Sequence, residues 1–212
     1  MANSNTKGFG FRAAMTAGNT PATSGQSEYT SIASQSGNIF TGDPVKEKVS
    51  TTVGGTIESA NGTSETHIIG VFNGAFWTDS VTEKPTWKNY YPSATAPANS
   101  ENVKCFVLDN PFQEFTAVVD AALYASGDTA AVKLSAFGLG YPSDGTAGST
   151  TTGRSGAMLS KTNRATSGKQ WRVIRMAEDP ENNDALSAYS TVICKPDAAV
   201  HLAAPGAGRA SF

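Results

Sequence analysis

Charge is what this sequence has least of. Asp, Glu, Lys and Arg make up 16% of its 212 residues, against roughly 25% in an ordinary globular domain. The 18 acidic and 16 basic residues leave a formal charge of -2, with the signs interspersed. That balance argues against a nucleic-acid partner, because neutralising phosphates requires a basic face. Histidine is nearly absent: His67 and His201 stand among strand-like or apolar neighbours, with no second histidine at ligand spacing, so no metal centre is expected. Cysteine occurs twice, at Cys105 and Cys194, outside any Cys-x-x-Cys pair. Both are read as small apolar residues buried in strands rather than as a disulfide. No run of about eighteen apolar residues exists, so no membrane span is expected. Residues 1–7 lack the apolar core of a signal peptide, and synthesis in a cytoplasm is the expectation.

Catalytic signatures are missing as well. No nucleophile-elbow sequence is present. Gly138-x-Gly140 and Gly153-x-x-Gly156 do not sit between a parallel strand and a helix, as a phosphate cradle requires. Glu178, Asp179, Glu181 and Asp184 crowd one loop, where a calcium ion or a catalytic carboxylate pair is conceivable. The regular spacing of a calcium loop is lacking, and the stretch reads as a solvated acidic turn. The sequence therefore points away from an enzyme and implies no cofactor.

What is present is neutral polarity: Ser, Thr, Asn and 21 Gly supply a surface that hydrogen-bonds without charge, suited to protein contact. The chain is organised around residues 39–77. Gly42-Asp43-Pro44 is a turn, with Pro44 fixing its own φ and keeping Asp43 extended. Residues 68–77 are apolar except for Gly70, Asn73 and Gly74, the pattern of a strand buried on both faces or bent at a barrel corner. Further strands are expected over 38–40, 45–49, 51–58, 103–108, 112–119, 130–137, 170–176 and 189–194, with one helical turn near 120–126. In 170–176, Trp171, Val173 and Arg175 should share one face, and Arg172, Ile174 and Met176 the other. The fold class is all-β: a small β-barrel or β-sandwich body over 38–195, an extended N-terminal arm over 1–37, long loops, and a tail over 196–212. Residues 138–152 read as a loop that is flexible by composition.

The arm has few large apolar residues: Phe9, Phe11, Met15, Tyr29 and Ile32. It reads either as a disordered tail or as a segment that orders on a partner, with Phe9 and Phe11 as anchors and Arg12 as a hydrogen-bonding fork. Residues 78–100 form a Pro-rich insertion carrying Trp87, Tyr90 and Tyr91. These rings either make a contact surface or fold back over the body. Arg154, between glycines, is a candidate contact at a subunit boundary or a turn residue facing water, and the terminal Phe212 is placed to dock on a neighbour.

One ordered set of motifs resembles the capsid decoration, or cement, proteins of tailed bacteriophages. It comprises Gly10-Phe11-Arg12, Tyr29-x-x-Ile32, Phe40-x-Gly42-Asp43-Pro44-Val45, Gly70-Val71-Phe72 with Gly74 and Trp77, and Val107 leading to Asp109-x-Pro111 and Phe115. It continues through Gly153-Arg154-Ser155-Gly156 with Leu159, Gln170-x-Arg172 and Pro180-x-Asn182. The acidic residue expected directly after that asparagine stands instead at Asp184. The resemblance implies a structural virion protein on the outer capsid surface, with the major capsid protein and copies of itself, as a homotrimer, for partners. It would place Phe9, Phe11, Arg12, Tyr29 and Ile32 on the capsid, and Trp87, Tyr90, Tyr91, Arg154 and Phe212 against neighbours. The rival expectation is a carbohydrate-binding or host-adhesion module that stacks sugars on Trp87, Tyr90 and Tyr91.

Overall fold

The computed structural model describes residues 3–17, 20–21, 25–31, 37–48 and 55–197. Ile32, His201, Phe212 and the tail beyond Asp197 lie outside them, as does the first half of the strand expected over 51–58.

Among the described residues, fourteen strands and one short α-helix follow in order, besides a 3-10 turn at Ala98–Ser100: β1 (Arg12–Thr16), β2 (Thr20–Pro21), β3 (Ser27–Ser31), β4 (Ile39–Phe40), β5 (Pro44–Glu47), β6 (Ile57–Ser59), β7 (Gly70–Thr78), β8 (Pro85–Lys88), β9 (Tyr90–Tyr91), β10 (Val103–Leu108), β11 (Gln113–Val118), α1 (Ala130–Ser135), β12 (Gly140–Tyr141), β13 (Trp171–Met176) and β14 (Thr191–Pro196). They form two six-stranded sheets and a small two-stranded one. The first sheet runs β12-β13-β14-β11-β1-β2; the second runs β3-β10-β7-β5-β6, with β8 also on β7; β4 pairs with β9. Thr30 and Thr56 bridge β3 to the start of β6, and the Thr30 N–H donates to Gly55 O at 2.9 Å. The second sheet thus curls toward barrel closure, while the first stays open and packs against it. The body is all-β and sandwich-like. No helix among the described residues is long and apolar enough to cross a membrane.

Two cores correspond to the two sheets. Trp171, Phe11, Phe115, Tyr141, Leu159 and Val192 lead the first; Phe72, Tyr91, Ile39, Val45, Val103 and Val107 lead the second. β7 lies between them: Val71 belongs to the first core, and Phe72, Ala75 and Trp77 to the second. A strict alternation would set Phe72 and Ala75 on opposite faces. The register opposite Phe106 and Val107 skips Asn73, and this bulge re-aims the strand. At Gly74 the backbone has a φ of +145°, and an added Cβ would lie 2.5 Å from the Trp87 indole. The glycine lets that ring approach the strand closely.

Several expectations are corrected. Residues 3–17 are not a separate arm but part of the body: β1 pairs with β11, and the Ala17 N–H donates to Phe112 O at 2.8 Å. Ahead of β1, Asn3 Nδ2 donates to Ala188 O at 2.9 Å, and the Asn5 N–H donates to Asn182 Oδ1 at 2.7 Å. Polar groups tie down residues 3–5 and a single buried ring, Phe11, ties down the start of β1, which is why the segment's apolar poverty misleads. Residues 130–135 are helix rather than strand: Thr129 caps the N-terminus by accepting from the Val132 N–H, and no helix residue is buried, so local propensity decides. Residues 120–126 hold no helix. In β13 a bulge at Ile174 turns Met176 toward the first core and sends Arg175 to Glu114, at 3.2 Å.

Cys105 lies in the second core and Cys194 in the first; both are free and buried. Burial pushes the Cys105 thiol up to about 12 and raises that of Cys194 as well. Neither thiol should react with a thiol-specific dye in the native protein, and both should react once denaturant unfolds it. Prompt native labelling would contradict this burial.

Candidate functional site

Three motifs far apart in sequence meet in one knot. The Phe11 N–H donates to Gly42 O at 2.9 Å, and the Gly10 N–H donates to Ala157 O at 3.2 Å. The Ser155 N–H donates to Thr41 O at 2.9 Å, and the Thr41 N–H donates to Gly153 O at 3.1 Å. Gly10 has a φ of +75°, and a Cβ there would sit 2.6 Å from Ser155 Cβ and 2.9 Å from Gly42 O. Only glycine meets both the dihedral and the space. The Gly42-Asp43 turn is clasped to β7 in turn: the Gly42 N–H donates to Phe72 O, and the Phe72 N–H donates to Asp43 O, each at 2.9 Å.

Asp43 is the polar centre of the knot. Its Oδ1 accepts from Ser155 Oγ at 2.5 Å and its Oδ2 from the Phe40 N–H at 2.8 Å. Burial raises its pKa to about 6 against the lowering effect of both bonds. A carboxyl whose folded pKa lies above its unfolded value favours the native state most at low pH and loses that contribution as pH rises through the folded value. Asp43→Asn keeps the shape, and the Ser155 hydroxyl can turn to accept from the new amide. The variant should therefore gain on the wild type by about 3 kcal/mol between pH 3.8 and about 6. Denaturant melts of both proteins across that range would check it; parallel stability profiles would contradict the burial of the charge.

The knot brings Arg12 and Arg154 to the lining of one recess. Arg12 opens β1 directly after Phe11, and its Cζ stands 4.1 Å from the centroid of the Phe9 ring, a cation-π distance. Arg154 follows Gly153 on the facing turn. Both are exposed and line a shallow recess with Phe9, Phe11, Thr41 and Gly42. A larger cleft of about 420 Å³ shares the two arginines and adds Lys7, Ser149, Thr152 and Tyr189. Partial burial, then the charge of Arg154, lowers the pKa of Arg12.

The other described arginines are engaged. Arg164 donates to Leu123 O at 3.1 Å, Arg172 to Asp197 at 2.8 Å, and Arg175 to Glu114 at 3.2 Å. Among the described residues, the guanidinium groups of Arg12 and Arg154 have neither a hydrogen-bonded acceptor nor a carboxylate within ion-pair distance.

The remaining contact candidates divide. Phe11 is 2% exposed and stacks on Trp171, with centroids 4.0 Å apart and planes 10° from parallel. It anchors the chain to its own core, not to a partner. Tyr29 is half-buried against the second core, and its hydroxyl donates to Asp109 Oδ2 at 2.9 Å, so it too is spent internally. Tyr91 is fully buried opposite Ile39, and Tyr90 stacks on Phe40 at 5.6 Å. Trp87 alone of the loop aromatics stays open, at 49% exposure, tilted against Phe106 at 5.2 Å. Trp87, Asn89 and Tyr90 border a second recess against residues 150–153, so the aromatic hairpin and the Arg154 turn share one end of the molecule. Lys7, Ser149 and Thr152 were invisible as site residues, because a lysine in a polar segment and hydroxyls in a Ser/Thr loop carry no spacing signal.

The acidic turn serves the fold. Asp179 Oδ2 accepts from Asn182 Nδ2 at 3.0 Å, and Asp184 Oδ1 accepts from the Leu186 N–H at 3.0 Å. Asn182 in turn holds Asn5. Among the described residues no group of His, Cys, Asp and Glu is arranged to hold a metal ion. No family model matches this chain, and no curated protein or solved structure is significantly similar to it.

Proposed function

We propose that this chain is a non-enzymatic structural virion protein that binds the outer surface of a phage capsid and stabilises the lattice of the major capsid protein. The observation that carries the reading is the meeting of three motifs of the cement-protein resemblance. Gly10-Phe11-Arg12, Phe40 to Val45 and Gly153 to Gly156 build one rigid knot that presents Arg12 and Arg154 outward. A scaffold that commits its backbone bonds and a buried carboxylate to holding two unpaired cations at the surface is suited to gripping another protein. The mechanism would be mass action: a ligand that binds only the intact lattice makes disassembly less favourable. Self-association into a trimer would multiply modest contacts into firm attachment.

The adhesion reading has one observation in its favour, the half-exposed Trp87 beside the hydroxyls of Thr150 to Thr152. It loses Tyr91 to the core and most of Tyr90 to Phe40, leaving a single ring where a sugar platform would use several. Adding the purified chain to particles that lack it separates the two. Saturable co-sedimentation with a raised particle disruption temperature is expected of a cement. Binding to cell-surface glycans without binding to particles would favour adhesion.

A further inference from the structure

We propose that the cleft bounded by Lys7, Arg12 and Arg154 is a receptor for a carboxylate side chain, aspartate or glutamate, projecting from the protein partner. The inference rests on the reading above, in which that partner is a protein lattice, and it names the group recognised.

Two guanidinium groups held together without an acid oppose each other. The lowered pKa of Arg12 reflects its partial burial and, second, the nearby charge of Arg154. In a surface arrangement free to relax, long side chains swing apart or find carboxylates. Here the Phe9 ring holds Arg12 from one side, and the knot fixes the backbone under both residues. The arrangement is therefore pre-organised at a standing electrostatic cost, which an anion between the two would reverse. Planar guanidinium forks match the two oxygens of a carboxylate, and Lys7 adds a third positive group at the same cleft.

Size and lining select the class of anion. A volume of about 420 Å³ is near the lower end of small-ligand sites and suits one or two side chains rather than a polymer. Phe9 and Met158 give an aliphatic stem something to pack on, and Ser149 and Thr152 offer hydroxyls to its head. A nucleic acid would need phosphate contacts spaced along a basic face. Two lysines elsewhere are paired with acids, Lys46 with Glu65 at 2.6 Å and Lys104 with Glu28 at 3.1 Å, and the whole chain is at -2.

The full-length protein, isotopically labelled, would be titrated separately with an acetylated triglutamate peptide, inorganic phosphate and a short oligothymidylate. Triglutamate should shift the side-chain N–H resonances of Arg12 and Arg154, more tightly than phosphate, and with an affinity that falls as salt rises. Arg154→Gln, at an exposed site, should melt as the wild type does yet bind the peptide at least about tenfold more weakly. No shift at either arginine, tighter binding of phosphate or oligothymidylate, or an unaffected Arg154→Gln would each overturn the proposal. Particle occupancy separates this from the parent reading. If wild type and Arg154→Gln decorate particles equally, the cleft assignment fails and the cement role stands. If the wild type does not decorate particles at all, the cement role itself fails.

Discussion

Phe11→Ala is expected to destabilise the isolated protein by about 3–5 kcal/mol, the range for emptying a buried phenylalanine site. In a domain of this size that is a fall in melting temperature of roughly 6–20 °C. The ring is almost completely buried and lies flat on Trp171, which also receives the edge of Phe115 at 5.5 Å and 77°. Removing it leaves a void beneath the largest buried side chain of the first core and releases the segment that carries Arg12. Phe9→Ala supplies the contrast. Phe9 is only partly buried and touches Arg12 from outside the core, so its loss should cost about 1 kcal/mol or less. Were residues 1–37 a free arm, both substitutions would leave the melting temperature of the unbound protein unchanged.

Gln170→Leu comes second, with an expected cost of about 2–4 kcal/mol in denaturant melts. Gln170 is fully buried just before β13. Its Nε2 donates to Ala60 O at 2.6 Å, and its Oε1 accepts from the Ser143 N–H at 2.8 Å and from Ser143 Oγ at 3.0 Å. One amide thus ties the first sheet to the end of β6 and to the loop after β12. Leucine fills the space but strands the Ser143 N–H in a dry interior, where an unsatisfied donor is costly. Ser143→Ala should be cheaper, at about 1 kcal/mol, because the main-chain bond to Gln170 survives. The double variant should cost less than the sum, since both substitutions remove the same hydroxyl–amide bond. Strict additivity would mean that the two residues do not share a network.

The same amide shows what the sequence hides. Residues 138–152 look flexible because they are rich in Gly, Ser and Thr, yet Tyr141 and Ser143 are fully buried and bonded. Composition reports propensity, while Ser143 is held by Gln170, a partner 27 residues further along the chain. Where a strand buries one face, the pattern is plain: Val103, Cys105 and Val107 alternate into the second core, and the expected and observed limits of β10 coincide. Where a bulge intervenes, as at Asn73 and Ile174, two-residue periodicity fails beyond it and the outward residues are misassigned. Tyr90 and Tyr91 illustrate the limit of counting aromatics, because adjacent strand residues point to opposite faces and only one can stay near solvent.

The site was legible in pieces. Arg12 and Arg154 were each marked by the glycines and aromatics around them, but nothing in the sequence said that they meet. That follows from Gly10 and Ser155 sharing one small space, a tertiary fact with no local signature. Phe11 was marked for the wrong reason: its environment is aromatic because it is core.

The most direct measurement is high-resolution imaging of phage particles made with and without this protein. The cement reading predicts density for the body on the outer face of the capsid shell, present only when the protein is, with the Arg12–Arg154 end against a capsid subunit. Identical shells in the two preparations, or density confined to the tail, would contradict it.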